Sequence, residues 1–132
     1  MSIRDEVVNW LESAEADLKH ARKSLEINDH NWACFAAQQA AEKALEALIM
    51  HVVGEYPRGH DLVKLYRMVK GYAEVKVDES KLARLSSYYT QARYPNAGIE
   101  RPHEELSEEL AIEAIEVAEV VMREVAKIIR SP

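Results

Sequence analysis

Apolar residues at Val7, Leu11, Ala14, Leu18, Ala21 and Leu25 alternate steps of four and three, which is the spacing of a helix face buried in a bundle. Glu12, Glu15, Lys19, Arg22 and Glu26 fall on the opposite face. The pattern predicts a first helix over residues 2–27, with Ser2 and Asp5 spaced as a relative of a capping box. Asn28 and Asp29 break the pattern, and either can cap a second helix running to about residue 53, with Gly54 as its stop. That helix is rich in alanine from Ala33 to Ala47, so neighbours can approach it closely, and it reads as the most buried element.

The central third is more broken. A loop over 55–60 leads to a short helix over 61–70 that turns Leu62, Leu65, Tyr66 and Val69 to one side, with His60, before Asp61, as its cap. Asp78 caps a fourth helix over 79–91, with Leu82, Leu85 and Tyr89 inward. Val75 and Val77 have strand character but no partner to pair with. Residues 93–103 form the longest irregular stretch: Pro95 makes Tyr94 extended and Gly98 permits a turn. The last helix, over 107–129, carries Leu110, Ala114, Val117, Val121, Val125 and Ile128. Ala118, Met122 and Ile129 widen that stripe enough to serve a second surface. The expected fold is all-α: one domain over 1–132, an up-down antiparallel bundle of three long and two short helices.

Composition narrows the function. Of 132 residues, 48% are hydrophobic, which suffices for a real core. A single cysteine, Cys34, excludes a disulfide framework and reads as an inert core residue. No apolar run is long enough to span a bilayer, and the N-terminus lacks a signal-peptide pattern, so a cytoplasmic protein without membrane contact is expected. Net charge is −6, but it is unevenly spread. Residues 58–93 carry 8 Lys/Arg against 4 Asp/Glu, while the flanks hold 5 against 10 and 4 against 9. The middle of an acidic chain is therefore basic, and there Lys81, Arg84, Tyr66, Tyr88 and Tyr89 interleave cations with rings. A nucleic-acid surface has that composition, and so has an ordinary amphipathic helix with its tyrosine hydroxyls outward.

Three blocks of sequence carry a resemblance. The first is Trp10, Ala14, Asp17, Leu18 and Ala21. The second runs from Cys34 to Leu48 through Gln39-Ala-Ala-Glu-Lys-Ala44, and is followed by His60, Leu62 and Leu65. The third is Tyr89-Thr-Gln-Ala-Arg-Tyr-Pro95. In this order and spacing they resemble a HEPN domain. The resemblance implies a helical bundle of four to five helices that forms a homodimer, binds a nucleotide or RNA, and often acts beside a minimal nucleotidyltransferase in a toxin–antitoxin-like pair. Many active members are metal-independent ribonucleases in which an arginine is followed four to six residues later by a histidine. Arg93 matches that arginine, but 97–99 are Ala, Gly and Ile, and the next histidine is His103.

Arg93 is the leading candidate. Its guanidinium can meet a phosphate as a bidentate fork, and Tyr94 beside it can stack on a base. Equally, Arg93 can bind carbonyls at its own helix end or pair with an acid of the last helix. Tyr89, Arg84 and Arg101 are further ligand contacts to weigh, and His103 is a general base if the loop folds back. Gln38, Gln39, Glu42 and Lys43 interrupt an apolar helix and, where buried, need partners. No cofactor or metal is expected: there is no cysteine pair, no His-Glu-x-x-His and no Gly-rich phosphate loop. Three functions remain in view: a nucleotide- or RNA-binding protein, a metal-independent endoribonuclease using Arg93 and His103, and a helical protein–protein adaptor docking through the last helix.

Overall fold

The computed structural model describes residues 2–131, and among these every regular element is helical. The helices are α1 (Ile3–Glu26), α2 (His30–Val52), α3 (Leu62–Val69), α4 (Glu79–Gln91), α5 (Pro102–Glu105) and α6 (Glu108–Ile129).

The termini follow from local chemistry. Ser2 and Asp5 form a complete capping box: the Ser2 hydroxyl accepts from Asp5 N at 3.2 Å, and Ser2 N donates to the Asp5 carboxylate at 3.3 Å. Asn28 takes the left-handed conformation between α1 and α2, at φ 62°, which asparagine tolerates better than most residues. Asp29 occupies the cap position of α2 without a side-chain hydrogen bond. Gly54, at φ 81°, ends α2 by donating its N–H to the Ile49 carbonyl. Asp61, not His60, caps α3, accepting from Val63 N and Lys64 N. The remaining orphan donor, Leu62 N, is taken by the Ser86 hydroxyl of α4 at 2.9 Å, so α3 is tied to α4 at its first residue.

The periodic residues of α1 and α6 lie where the pattern puts them. Val7, Leu11, Ala14, Leu18 and Ala21 are buried, as are Ala114, Val117, Val121 and Val125. Ala118, Met122 and Ile129 are buried too, so the extra width of the α6 stripe is used inside the bundle, against α2, α1 and α4. α2 is the central element. It packs most extensively on α1, then α6, α3 and α4, and from Ala36 to Met50 only Gln39 and Lys43 are not buried. Its alanines let α1 and α6 close against it, and Leu45, Leu48 and Ile49 fill the space between.

Two expectations are corrected. Residues 93–103 are not wholly irregular: Pro102 starts the one-turn helix α5, giving six helices rather than five. The inward tyrosine of α4 is Tyr88, 3% exposed, while Tyr89 lies at the rim. In a 13-residue helix, steps of three and of four from Leu85 are both legitimate core spacings, and α2 and α6 select the former. The 70–78 segment forms no strand. Val75 is buried, and Lys76 N donates to the Glu124 carboxylate at 3.1 Å. Lys127 binds the other oxygen of Glu124, and these two bonds hold that carboxyl below its usual range.

Candidate functional site at the α2–α4 rim

α4 ends at Gln91; backbone N–H groups of Ala92, Arg93 and Tyr94 take the Tyr88 and Thr90 carbonyls, and side chains take two others. Asn31 of α2 donates to the Ala92 carbonyl at 3.3 Å, and Arg93 Nε donates to the Tyr89 carbonyl at 2.9 Å. That second bond turns the guanidinium back over α4. Its carbon lies 4.4 Å from the Phe35 ring centre, 4.8 Å from Tyr89 and 5.0 Å from Tyr94. Three ring faces thus hold one cation. Among the described residues no carboxylate pairs with Arg93, and its two terminal nitrogens make no hydrogen bond. Trp32 extends the aromatic surface, edge-on to Phe35 at 6.0 Å and about half exposed.

Next to this seat lies a polar network that α2 carries into the bundle. Gln38 is fully buried and Glu42 5% exposed. The Gln38 amide nitrogen donates to Glu42 Oε1 at 3.1 Å and to the His60 carbonyl at 3.4 Å, and Gln39 donates to the Gln38 oxygen at 2.8 Å. His60 Nδ1 lies 2.9 Å from the same Glu42 oxygen. The His60 ring stacks on Tyr89, with centres 3.8 Å apart and planes 13° apart. One turn further along α2 is Glu46, 7% exposed, with Oε1 unpartnered. Burial, followed by the charge of Glu42 and a hydrogen bond to it, pushes the Glu46 carboxyl up to about 8. On the other side of α2, Lys43 binds Asp17 at 2.8 Å and the Ser13 hydroxyl at 2.9 Å.

His60 and Tyr89 open onto a cleft of about 560 Å³ between the start of α3 and α4, lined also by Ser86, Thr90, Gln91 and Ala97. The 93–100 loop reaches it through Ala97, and packs closely on α4 at Gly98, at φ 98°, where a Cβ would run into the Gln91 side chain. Ser86, Ser87, Thr90 and Gln91 give the cleft hydroxyls and an amide, and Asp61 a carboxylate, groups that can hydrogen-bond sugar hydroxyls.

Of the residues expected to act, Arg93, Tyr94 and Tyr89 are brought together. Arg84 lies outward: one of its nitrogens meets both oxygens of Glu113 on α6 at 2.7 Å. Arg101 is paired with Glu104 at 2.7 Å. His103 is on α5, exposed, 3.8 Å from Glu104, and among the described residues no hydrogen bond, ion pair or ring contact joins it to Arg93. Phe35, Glu42 and His60 were not expected as site residues. The signal for Glu42 was its place in an apolar helix that could satisfy it only through a partner. Cys34 is buried, and desolvation pushes its thiol up to about 12, as suits an inert core residue. Among the described residues no cluster of His, Cys, Asp or Glu could hold a metal, and no helix is long and apolar enough to cross a membrane.

Comparison with known proteins agrees with this architecture. Three solved structures superpose over nearly their whole length. TT1696 from Thermus thermophilus is 36% identical, with a TM-score of 0.79, and the match covers 92% of this chain and 96% of that one. ST0689, described as an archaeal HEPN homologue, is 31% identical at a TM-score of 0.75, covering 93% and 97%. The HEPN domain protein tm0613 from Thermotoga maritima, at 24% identity and a TM-score of 0.70 over 94% and 99%, shares the fold. No curated protein matches the chain. The HEPN domain family matches residues 7–129, which include α2, His60, the Arg93 rim and nearly all of the core, and the chain belongs to that family.

Proposed function

We propose that this HEPN chain binds a nucleotide or the backbone of a single-stranded RNA at the Arg93 rim. The observation that carries the reading is the state of Arg93: a guanidinium oriented by three rings and one carbonyl, with its terminal nitrogens matched to no acid. Most other arginines here are paired. Arg22, Arg67, Arg84, Arg101 and Arg130 all meet glutamates. A preoriented, unpaired fork fits a phosphate, and the exposed faces of Tyr94 and Trp32 offer stacking for bases.

In this reading the protein works as a homodimer beside a minimal nucleotidyltransferase, and the rim is the surface that meets the phosphate-bearing ligand. Fluorescence anisotropy with a labelled oligoribonucleotide, and calorimetry with ATP, test it. Wild type binds at least one of them, and Arg93→Ala weakens that binding by about tenfold or more, the cost of a charge-assisted contact. Equal binding by the two proteins, or none by wild type, overturns the reading.

A further inference from the structure

We propose that the groove between α1 and α2, beside the Arg93 rim, is a base pocket and that it selects guanine. The inference rests on that rim binding a nucleotide or RNA, and it names the base that the ligand presents next to its phosphate.

Four observations carry it. The first is position. A groove of about 200 Å³ is lined by Asp17 and His20 of α1 and by Trp32, Phe35, Gln39 and Lys43 of α2. Phe35 belongs to both sites: its ring centre lies 4.4 Å from the Arg93 guanidinium carbon and 6.0 Å from the Trp32 ring. The second is stacking. Trp32 is half exposed and lies face to face with no other ring among the described residues, which leaves its indole for a base.

The third is the orientation of Gln39. The Gln38 side chain reaches the His60 carbonyl, which only accepts, so it turns its nitrogen there and its oxygen away. That oxygen takes the Gln39 nitrogen at 2.8 Å. The buried network thus fixes the Gln39 amide, and its oxygen remains an acceptor without a partner among the described residues. The fourth is the ion pair across the groove. Lys43 Nζ gives two of its three protons to Asp17 Oδ2 and the Ser13 hydroxyl and keeps the third. Asp17 Oδ1 has no partner among the described residues.

The groove therefore offers one donor, Lys43, and two acceptors, Asp17 and Gln39. On the Watson–Crick edge of guanine O6 accepts while N1–H and the 2-amino group donate, which is the complementary set. Adenine, cytosine and uracil each bring a single donor group to that edge, so each leaves one acceptor of the groove unpaired. Selection follows from that unpaired group more than from any gain in contact area.

The test uses the whole chain with GMP, AMP, CMP and UMP, and with IMP, which lacks the 2-amino group. In calorimetry GMP is expected to bind about tenfold or more tighter than AMP, CMP or UMP, with IMP between. Asp17→Asn is expected to reduce the preference for GMP over AMP to about threefold or less, because an amide cannot accept through both ends. GMP is expected to quench the tryptophan emission of wild type and to leave that of Trp32→Ala unchanged. Wild type that binds all five alike, or an oligoribonucleotide but none of the five, overturns the guanine pocket and leaves the binding function standing. So does GMP binding without quenching, or full guanine preference in Asp17→Asn. Wild type that binds neither the mononucleotides nor the oligoribonucleotide overturns the binding function as well. Should Asp17→Asn fail to fold, the order of GMP, IMP and AMP on wild type decides alone.

Discussion

Two seams of α4 treat charge in opposite ways. On the α6 side, Arg84 meets Glu113 through paired contacts at 2.7 Å, and the charge is cancelled at the surface. On the α2 side, Arg93 has rings instead of an acid, Glu42 faces a histidine, and Glu46 keeps an oxygen with no partner. The two arginines lie nine positions apart, and both sit in the basic middle segment. Charge count alone cannot distinguish them. What distinguishes them is whether a carboxylate is within reach.

The comparison can be tested by forcing each seam to behave like the other. The largest effect is expected from Arg93→Lys. An ammonium keeps the charge but loses the flat stacking face and the fork, so RNA or nucleotide affinity should fall nearly as far as in Arg93→Ala, about tenfold by anisotropy. Retention of wild-type affinity would mean that only charge matters at the rim.

Next comes Glu46→Gln. The folded-state carboxyl at about 8 lies above its ordinary value near 4.5. Between these values the folded protein holds a proton that the unfolded chain has released, so stability falls as pH rises through that window and stays low above it. Glu46→Gln removes this loss. Its melting temperature should match wild type near pH 5 and exceed it by about 3 °C or more at pH 8.5 in thermal scans. Parallel wild-type and variant curves across that range would show that Glu46 carries no burial penalty.

The smallest effect is expected from Arg84→Ala. Half-exposed ion pairs contribute little, so stability should change by about 1 kcal/mol or less in urea, and ligand affinity by less than twofold. A large loss of binding would move the ligand path to the outer seam.

These seams also mark where sequence stops informing structure. Helix existence, the α1 and α6 stripes and the burial of α2 were legible because each is a local period imposed on one core. Arg93, Tyr94 and Tyr89 were legible as a contiguous motif. The acid that occupies Arg84 lies on α6, and the ring that seats Arg93 most closely, Phe35, comes from α2, so neither pairing had a local signature. His60 looked like a cap because it precedes a helix. Its actual partners, Glu42 and Tyr89, come from two other helices and meet only once α3 docks. α5 was hidden because one turn begun by a proline has no period to detect.

The Leu62 amide has a consequence of its own. Leu62 is fully buried, and its N–H reaches across to a hydroxyl on α4 rather than to a carbonyl of its own helix. Its exchange with solvent deuterium therefore registers separation of α3 from α4 directly, independently of fraying within α3. One backbone proton becomes a gauge of whether the cleft is assembled, readable without knowing what the cleft holds.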